Sequence, residues 1–236
     1  MLLMASLPVG TVTFLFSDIE GSTRLLQRLG DRYEELLSKH RRVIRKSAAD
    51  ASGTEIDAQG DALFFSFPRA RDAVSGALAA QLRLGAERWP DETEVRVRMG
   101  LRTGEPTLGE EGYLGLDVVR GARIASAAHG GQVLVSETTR ALLPSELPGG
   151  AEIIDLGQHS LKDLERAERL FQVVAPGLRS DFPPPRADPA GGQKEDLERR
   201  IDEFVNRGLS SVFERFDLEK MESGQWLMRR RDRTDG

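Results

Sequence analysis

Phe14-Leu15-Phe16-Ser17-Asp18-Ile19-Glu20-Gly21-Ser22-Thr23 decides how this chain reads. The apolar run from Val12 to Phe16 ends on a lone carboxylate, followed by a glycine and two small hydroxyl residues. A buried strand that ends this way can hold a divalent cation at its tip. A helix starting immediately after it can offer free amides to phosphate. A second carboxylate stands at the turn Ala58-Gln59-Gly60-Asp61, ahead of another apolar strand, Ala62-Leu63-Phe64-Phe65. Two strand-edge aspartates, each close to a glycine, can together bind two magnesium ions on a triphosphate.

Around these two turns, residues 10–176 read as one α/β unit. Segments rich in Val, Ile, Phe and Thr, or alternating apolar with polar, predict strands at 11–17, 54–58, 62–67, 95–103, 132–136 and 169–174. Helices are predicted at 22–29, 31–51, 69–88 and 115–128, with a shorter one near 137–143. Asp31 and Glu34 have capping-box spacing for the second helix. The order of strand, helices, hairpin, helix, strand, helix, strand suits an α+β fold. It predicts a ferredoxin-like sandwich with helices on one face of a mainly antiparallel sheet.

From Pro176 the composition changes. Ser180 to Pro185 and Pro189 to Gly192 read as a Pro/Gly-rich linker over 177–192. Leu197, Ile201, Phe204, Val205, Val212, Phe213 and Phe216 then recur at near-helical spacing, which predicts an amphipathic helical tail over 193–236.

The chain has 236 residues, no cysteine and a net charge of -5. Disulfides, thiolate catalysis and cysteine-based zinc sites are excluded. The acidic balance argues against general nucleic-acid binding. His40, His129 and His159 lack zinc-type spacing. No apolar run is long enough to span a bilayer, and the first residues lack a secretory core, so a cytoplasmic location is expected.

The motif set resembles the class III adenylate/guanylate cyclase catalytic domain. Phe16 to Thr23 is similar to the first metal motif of that family, and Gln59-Gly60-Asp61 to the second. Val97 to Gly104 resembles the strand and turn that follow. Gly112 to Ile124 resembles the helix of transition-state residues, and Gly130 to Ser136 with Leu161 to Leu164 the closing strands. The likeness runs in order from about residue 11 to 175.

The resemblance implies two Mg²⁺ or Mn²⁺ ions held by Asp18, Asp61 and the carbonyl of Ile19. It implies phosphate contact at Gly21, Ser22 and Thr23, triphosphate contacts from Arg98 and Lys162, and a transition-state arginine at Arg123. It also implies a homodimer, because the aspartates and the arginine of one site come from opposite chains.

Three positions depart from the family pattern. Asp57 stands where adenylate cyclases carry a purine-reading lysine, Gly112 where its partner stands, and Val119 where the transition-state asparagine stands. Aspartate only accepts hydrogen bonds at neutral pH, so Asp57 suits the N1–H and amine of guanine or the amino group of adenine. Two functions follow. One is a purine nucleotidyl cyclase acting on ATP or GTP. The other is a catalytically degenerate relative that binds nucleotide or dimerises as a signalling module. A diguanylate-cyclase or polymerase palm is disfavoured, because the hairpin reads Gln59-Gly60-Asp61-Ala62 rather than Gly-Gly-Asp/Glu-Glu-Phe.

Overall fold

The computed structural model describes residues 7–109 and 112–186, together with the strands Phe216–Lys220 and Trp226–Arg230. Residues 7–109 and 112–186 hold nine strands and five α-helices. They run β1 (Val12–Ile19), α1 (Ser22–Leu29), α2 (Tyr33–Asp50), β2 (Thr54–Gln59), β3 (Ala62–Phe67), α3 (Ala70–Ala86) and β4 (Val97–Gly104). There follow β5 (Thr107–Gly109), β6 (Gly112–Leu114), α4 (Leu116–Ala127), β7 (Val133–Ser136), α5 (Glu137–Ala141), β8 (Glu152–His159) and β9 (Glu168–Val174).

Seven strands form one sheet in the order β2-β3-β1-β4-β7-β9-β8. Every neighbouring pair is antiparallel except β4 and β7, which run parallel. Strand β1 lies near the centre, and all eight of its residues are buried. Because side chains alternate across a strand, β1 serves two cores at once. Leu15 and Ile19 pack with Leu36, Val43 and Ile44 of α2 and with Val74 and Ala77 of α3. Val12, Phe14 and Phe16 pack on the other side with Phe64, Tyr113, and Val118 and Ala122 of α4.

The α+β sandwich and the mainly antiparallel sheet match the expectation. Helices on one face only do not: α4 covers the face opposite α2 and α3. The reason is glycine at the crossing. A Cβ on Gly100 of β4 would lie 2.2 Å from the backbone N of Ala125, and one on Gly121 of α4 would lie 2.8 Å from the Phe16 ring. The helix therefore rests directly on the backbone of the sheet.

Other differences have local causes. Asp31 does not cap α2; residues Gly30–Arg32 form a 3-10 turn, and no side chain caps the helix at Arg32. Strand β8 escaped the periodicity reading because it is a half-exposed edge, broken by a bulge between Asp155 and Gly157 where Gly157 takes a φ of 82°. The expected tail helix falls largely outside the described residues. Its described parts are extended, with Phe216–Lys220 and Trp226–Arg230 paired antiparallel as β10 and β11. Phe216–Lys220 alternates apolar and polar residues with a period near two, whereas Trp226–Arg230 does not.

Candidate active site

The first aspartate is held in one rung of the sheet. Asp18 near the end of β1 faces Arg98 near the start of β4. The Arg98 Nη2 donates to Asp18 Oδ2 at 2.6 Å, with both side chains no more than 3% exposed. Arg98 was expected to contact a triphosphate; in this chain its guanidinium is turned onto the carboxylate of Asp18.

The second carboxylate arrives from the β2–β3 hairpin. Gly60 supplies the positive φ (57°) that the turn demands, and Arg41 Nε donates to its carbonyl at 2.9 Å. This aims Asp61 inward, fully buried. Its Oδ2 accepts from the backbone N–H of Ile19 at 3.0 Å, and its carboxyl lies within hydrogen-bonding reach of Asp18. Asp18, Ile19, Asp61 and Arg98 are therefore brought together. Burial first, and the neighbouring Asp61 second, push the Asp18 carboxyl well above the usual carboxylate range, while Arg98 opposes both.

His40 lies in the core of α2, and the charge of Asp61 acts on it. It is fully buried, and neither ring nitrogen finds a hydrogen-bond partner among the described residues. Burial, aided by Arg41 and opposed by Asp61, lowers its pKa to about 4. Its spacing from the other histidines alone assigns it no role. The signal was available, since Leu36, His40, Val43, Ile44 and Ser47 share the helix stripe that faces the sheet.

Past β1, Gly21 adopts the left-handed conformation (φ 69°) and begins α1 with no side-chain cap. Ser22 is buried there and Thr23 exposed. The carboxylate of Asp57 turns back on its own hairpin, accepting from Ala58 N at 2.8 Å and Gln59 Nε2 at 3.4 Å.

Arg123 sits elsewhere. It is buried on α4, and its Nη2 donates to Asp163 in the β8–β9 turn, next to the half-buried Lys162. Strand pairing puts that turn at the end of the sheet where β4 finishes, whereas the Asp18–Arg98 rung lies where β4 begins. Arg123 and Lys162 thus stand on α4 and the β8–β9 turn, while the paired carboxylates stand on β1 and the β2–β3 hairpin.

The donor set fits hard divalent cations. Two adjacent buried carboxylates lie beside Arg98, and the Ile19 backbone lies against them. Among the described residues no third His, Cys, Asp or Glu completes a cluster. Such a pair gains from added positive charge, because each carboxylate disfavours ionisation of the other.

Comparison with known proteins shows the family. Residues 4–172 match the family described as the adenylate and guanylate cyclase catalytic domain. An uncharacterised protein of Mycobacterium tuberculosis is 36% identical over 181 residues, covering 76% of this chain and 61% of that protein. An adenylate cyclase of Neurospora crassa is 28% identical over 227 residues, covering 72% of this chain and 10% of its own much longer length. In three dimensions, a Trypanosoma brucei adenylate cyclase described in its monomeric state superposes with a TM-score of 0.71 at 22% identity, covering 78% of this chain and 96% of that one. No described helix is long and apolar enough to cross a membrane. With more than half its length matched in order, and with the two carboxylates of that motif order meeting at one end of the sheet, this chain belongs to the adenylate and guanylate cyclase catalytic domain family.

Proposed function

We infer that this chain is a purine nucleotidyl cyclase, converting ATP or GTP to a 3′,5′-cyclic nucleotide and pyrophosphate at sites shared between two copies. The observation that carries this reading is the pair of buried, adjacent carboxylates at Asp18 and Asp61, one of them held well above its ordinary pKa by burial and by the other.

Asp18, Asp61 and the Ile19 carbonyl would hold Mg²⁺ or Mn²⁺. When bound, the ions supply Lewis acidity that lowers the pKa of the ribose 3′-hydroxyl and neutralise charge on the triphosphate. The chain's own groups do the rest. The uncapped start of α1 at Gly21, Ser22 and Thr23 presents amides to phosphate oxygens. Arg98, beside Asp18, would hold a triphosphate oxygen through its guanidinium. Arg123 on α4 and Lys162 in the β8–β9 turn serve the site of the second copy. There Arg123 stabilises charge on the five-coordinate phosphorus and Lys162 holds the triphosphate. This division of labour requires a homodimer with two equivalent sites.

A second reading has specific support. The Asp57 carboxylate is engaged in its own hairpin, and Val119 offers no hydrogen bond to a ribose. Both favour a slow enzyme, or a domain that binds nucleotide without turning it over. Purified protein incubated with Mn²⁺ and either ATP or GTP, with products separated by chromatography, decides between them. Cyclic product that disappears in Asp18→Ala and Asp61→Ala supports the enzyme. A stable dimer that yields no product with either nucleotide supports the binding module.

A further inference from the structure

The segment after β9, expected to be a linker, is bound along the domain. Gln172 Nε2 donates to the Ser180 carbonyl at 2.7 Å. Phe182 stacks on His129 and lies under the Arg179 guanidinium. The His129 ring hydrogen-bonds to the Pro184 carbonyl at 3.0 Å, and Pro185 is buried. At Arg186 the chain makes two contacts that join both halves of the catalytic apparatus. Its backbone N–H donates to the Ala127 carbonyl at 2.9 Å, closing the C-terminus of α4, the helix of Arg123. Its guanidinium pairs with the carboxylate of Glu20.

Glu20 lies in the turn between Ile19 and Gly21. Its carboxylate is only 14% exposed and also pairs with Arg96, and its backbone N–H donates to the Arg96 carbonyl at 2.9 Å. A Cβ on Gly130 would lie 2.7 Å from that carboxylate, so Glu20 is also confined from the α4–β7 turn. None of residues 173–186 belongs to the segment matched to the cyclase family, which ends at residue 172.

We propose that Arg186 is a positioning residue: residues 178–186 form a strap that acts through Glu20 to fix the metal-binding turn Asp18–Gly21. This rests on the cyclase reading for its consequence in catalysis but not for its structural content. Outer partners that orient metal ligands are commonly worth 10–100-fold in metal affinity or activity.

Charge alone predicts the opposite sign. Neutralising Arg186 leaves Glu20 less compensated, and a bare carboxylate near the site would attract cations more strongly. The positioning role instead predicts weaker binding when the clamp is released.

The test uses the full chain with Arg186→Gln, Glu20→Gln, Arg186→Lys and, as a control elsewhere on the strap, Arg179→Gln. Two readouts are taken: hydrogen exchange at the Ile19 and Glu20 amides, and the Mn²⁺ concentration giving half of the maximal thermal stabilisation. Arg186→Gln and Glu20→Gln should speed exchange and raise the Mn²⁺ half-point about tenfold. Arg186→Lys should recover most of both, and Arg179→Gln should change neither. In the cyclase assay the half-saturating Mn²⁺ should rise while kcat at saturating Mn²⁺ stays put. Unchanged exchange, or an unchanged or lower Mn²⁺ half-point in Arg186→Gln, overturns the strap. Absence of cyclic product from the wild type overturns the cyclase reading instead and leaves the exchange comparison to decide the strap.

Discussion

Gly100→Ala isolates the contact on which the placement of α4 depends. The added Cβ would sit 2.2 Å from Ala125 N, 2.6 Å from Ala125 Cα and 2.8 Å from Ile124 C. All three are backbone atoms, so no side chain can swing aside. Ordinary carbon contacts need about 3.5–4.0 Å, so α4 must retreat by roughly 1 Å. Such a gap forfeits a quarter to a half of the dispersion energy of the atoms facing it, here Val118, Ala122 and Ala125 against Phe14 and Phe16. Overpacking of this kind costs about 1–3 kcal/mol, and the rigid backbone contact argues for the upper end. For a domain of this size that lowers Tm by roughly 6–12 °C. Arg123 lies two residues before Ala125, so it moves with the helix, and a 1 Å misplacement costs about 10²-fold in rate. Gly85→Ala, in α3 with nothing within 4 Å of the new Cβ, is the control and should raise stability by about 0.5–1 kcal/mol. Circular-dichroism melts of the two variants beside the parent provide the assay. A Gly100→Ala protein melting within a degree of the parent would refute the direct helix-on-backbone contact.

Asp18→Asn should raise Tm at pH 7.5 without metal. The folded pKa of Asp18 lies above its unfolded value, so the ionised carboxylate weakens the fold as pH rises through that window. The same variant should lose the Mn²⁺ response, which in the parent should reach about 2.7 kcal/mol at a hundredfold excess over Kd; differential scanning fluorimetry reads both. His40 acts with the other sign. Its folded pKa of about 4 lies below the unfolded 6.5, so its contribution is complete above 6.5 and is lost as pH falls through 4. Unfolding free energies from urea titrations at pH 7 and pH 4 should differ by about 3 kcal/mol more in the parent than in His40→Gln. Asp163→Asn keeps a residue type that tolerates the positive φ of 58° but removes the charge beside Arg123. Arginine-selective modification by phenylglyoxal, mapped by mass spectrometry, should then become faster at Arg123.

Much of the site could be read from the chain because strand-edge chemistry is local. Asp18 ends an apolar run and Asp61 follows a glycine turn, so both positions declare themselves within a few residues. The pairing of Arg98 with Asp18 was not visible. It depends on β1 and β4 being neighbours in a register that joins residues eighty positions apart. The engagement of Arg123 by Asp163 has the same origin, across forty positions. Strand β8 was hidden by its bulge and half-exposed edge, and α4 was put on the wrong face because helical periodicity names an apolar stripe but not the layer it meets. From its prolines alone the strap reads as a linker. Those prolines suit an extended path over a surface equally well, and only the partners at Glu20, Ala127 and His129 distinguish the two.

The central claim is that the carboxylates of one copy work with the guanidinium of another. Mixing Asp61→Ala with Arg123→Ala, each inactive alone, tests it most directly. Random pairing makes half the dimers mixed, each with one intact site, so cyclic-nucleotide formation should return to about a quarter of the wild-type rate. A mixture as silent as its two parents, when both dimerise and the wild type turns over, would contradict the shared site.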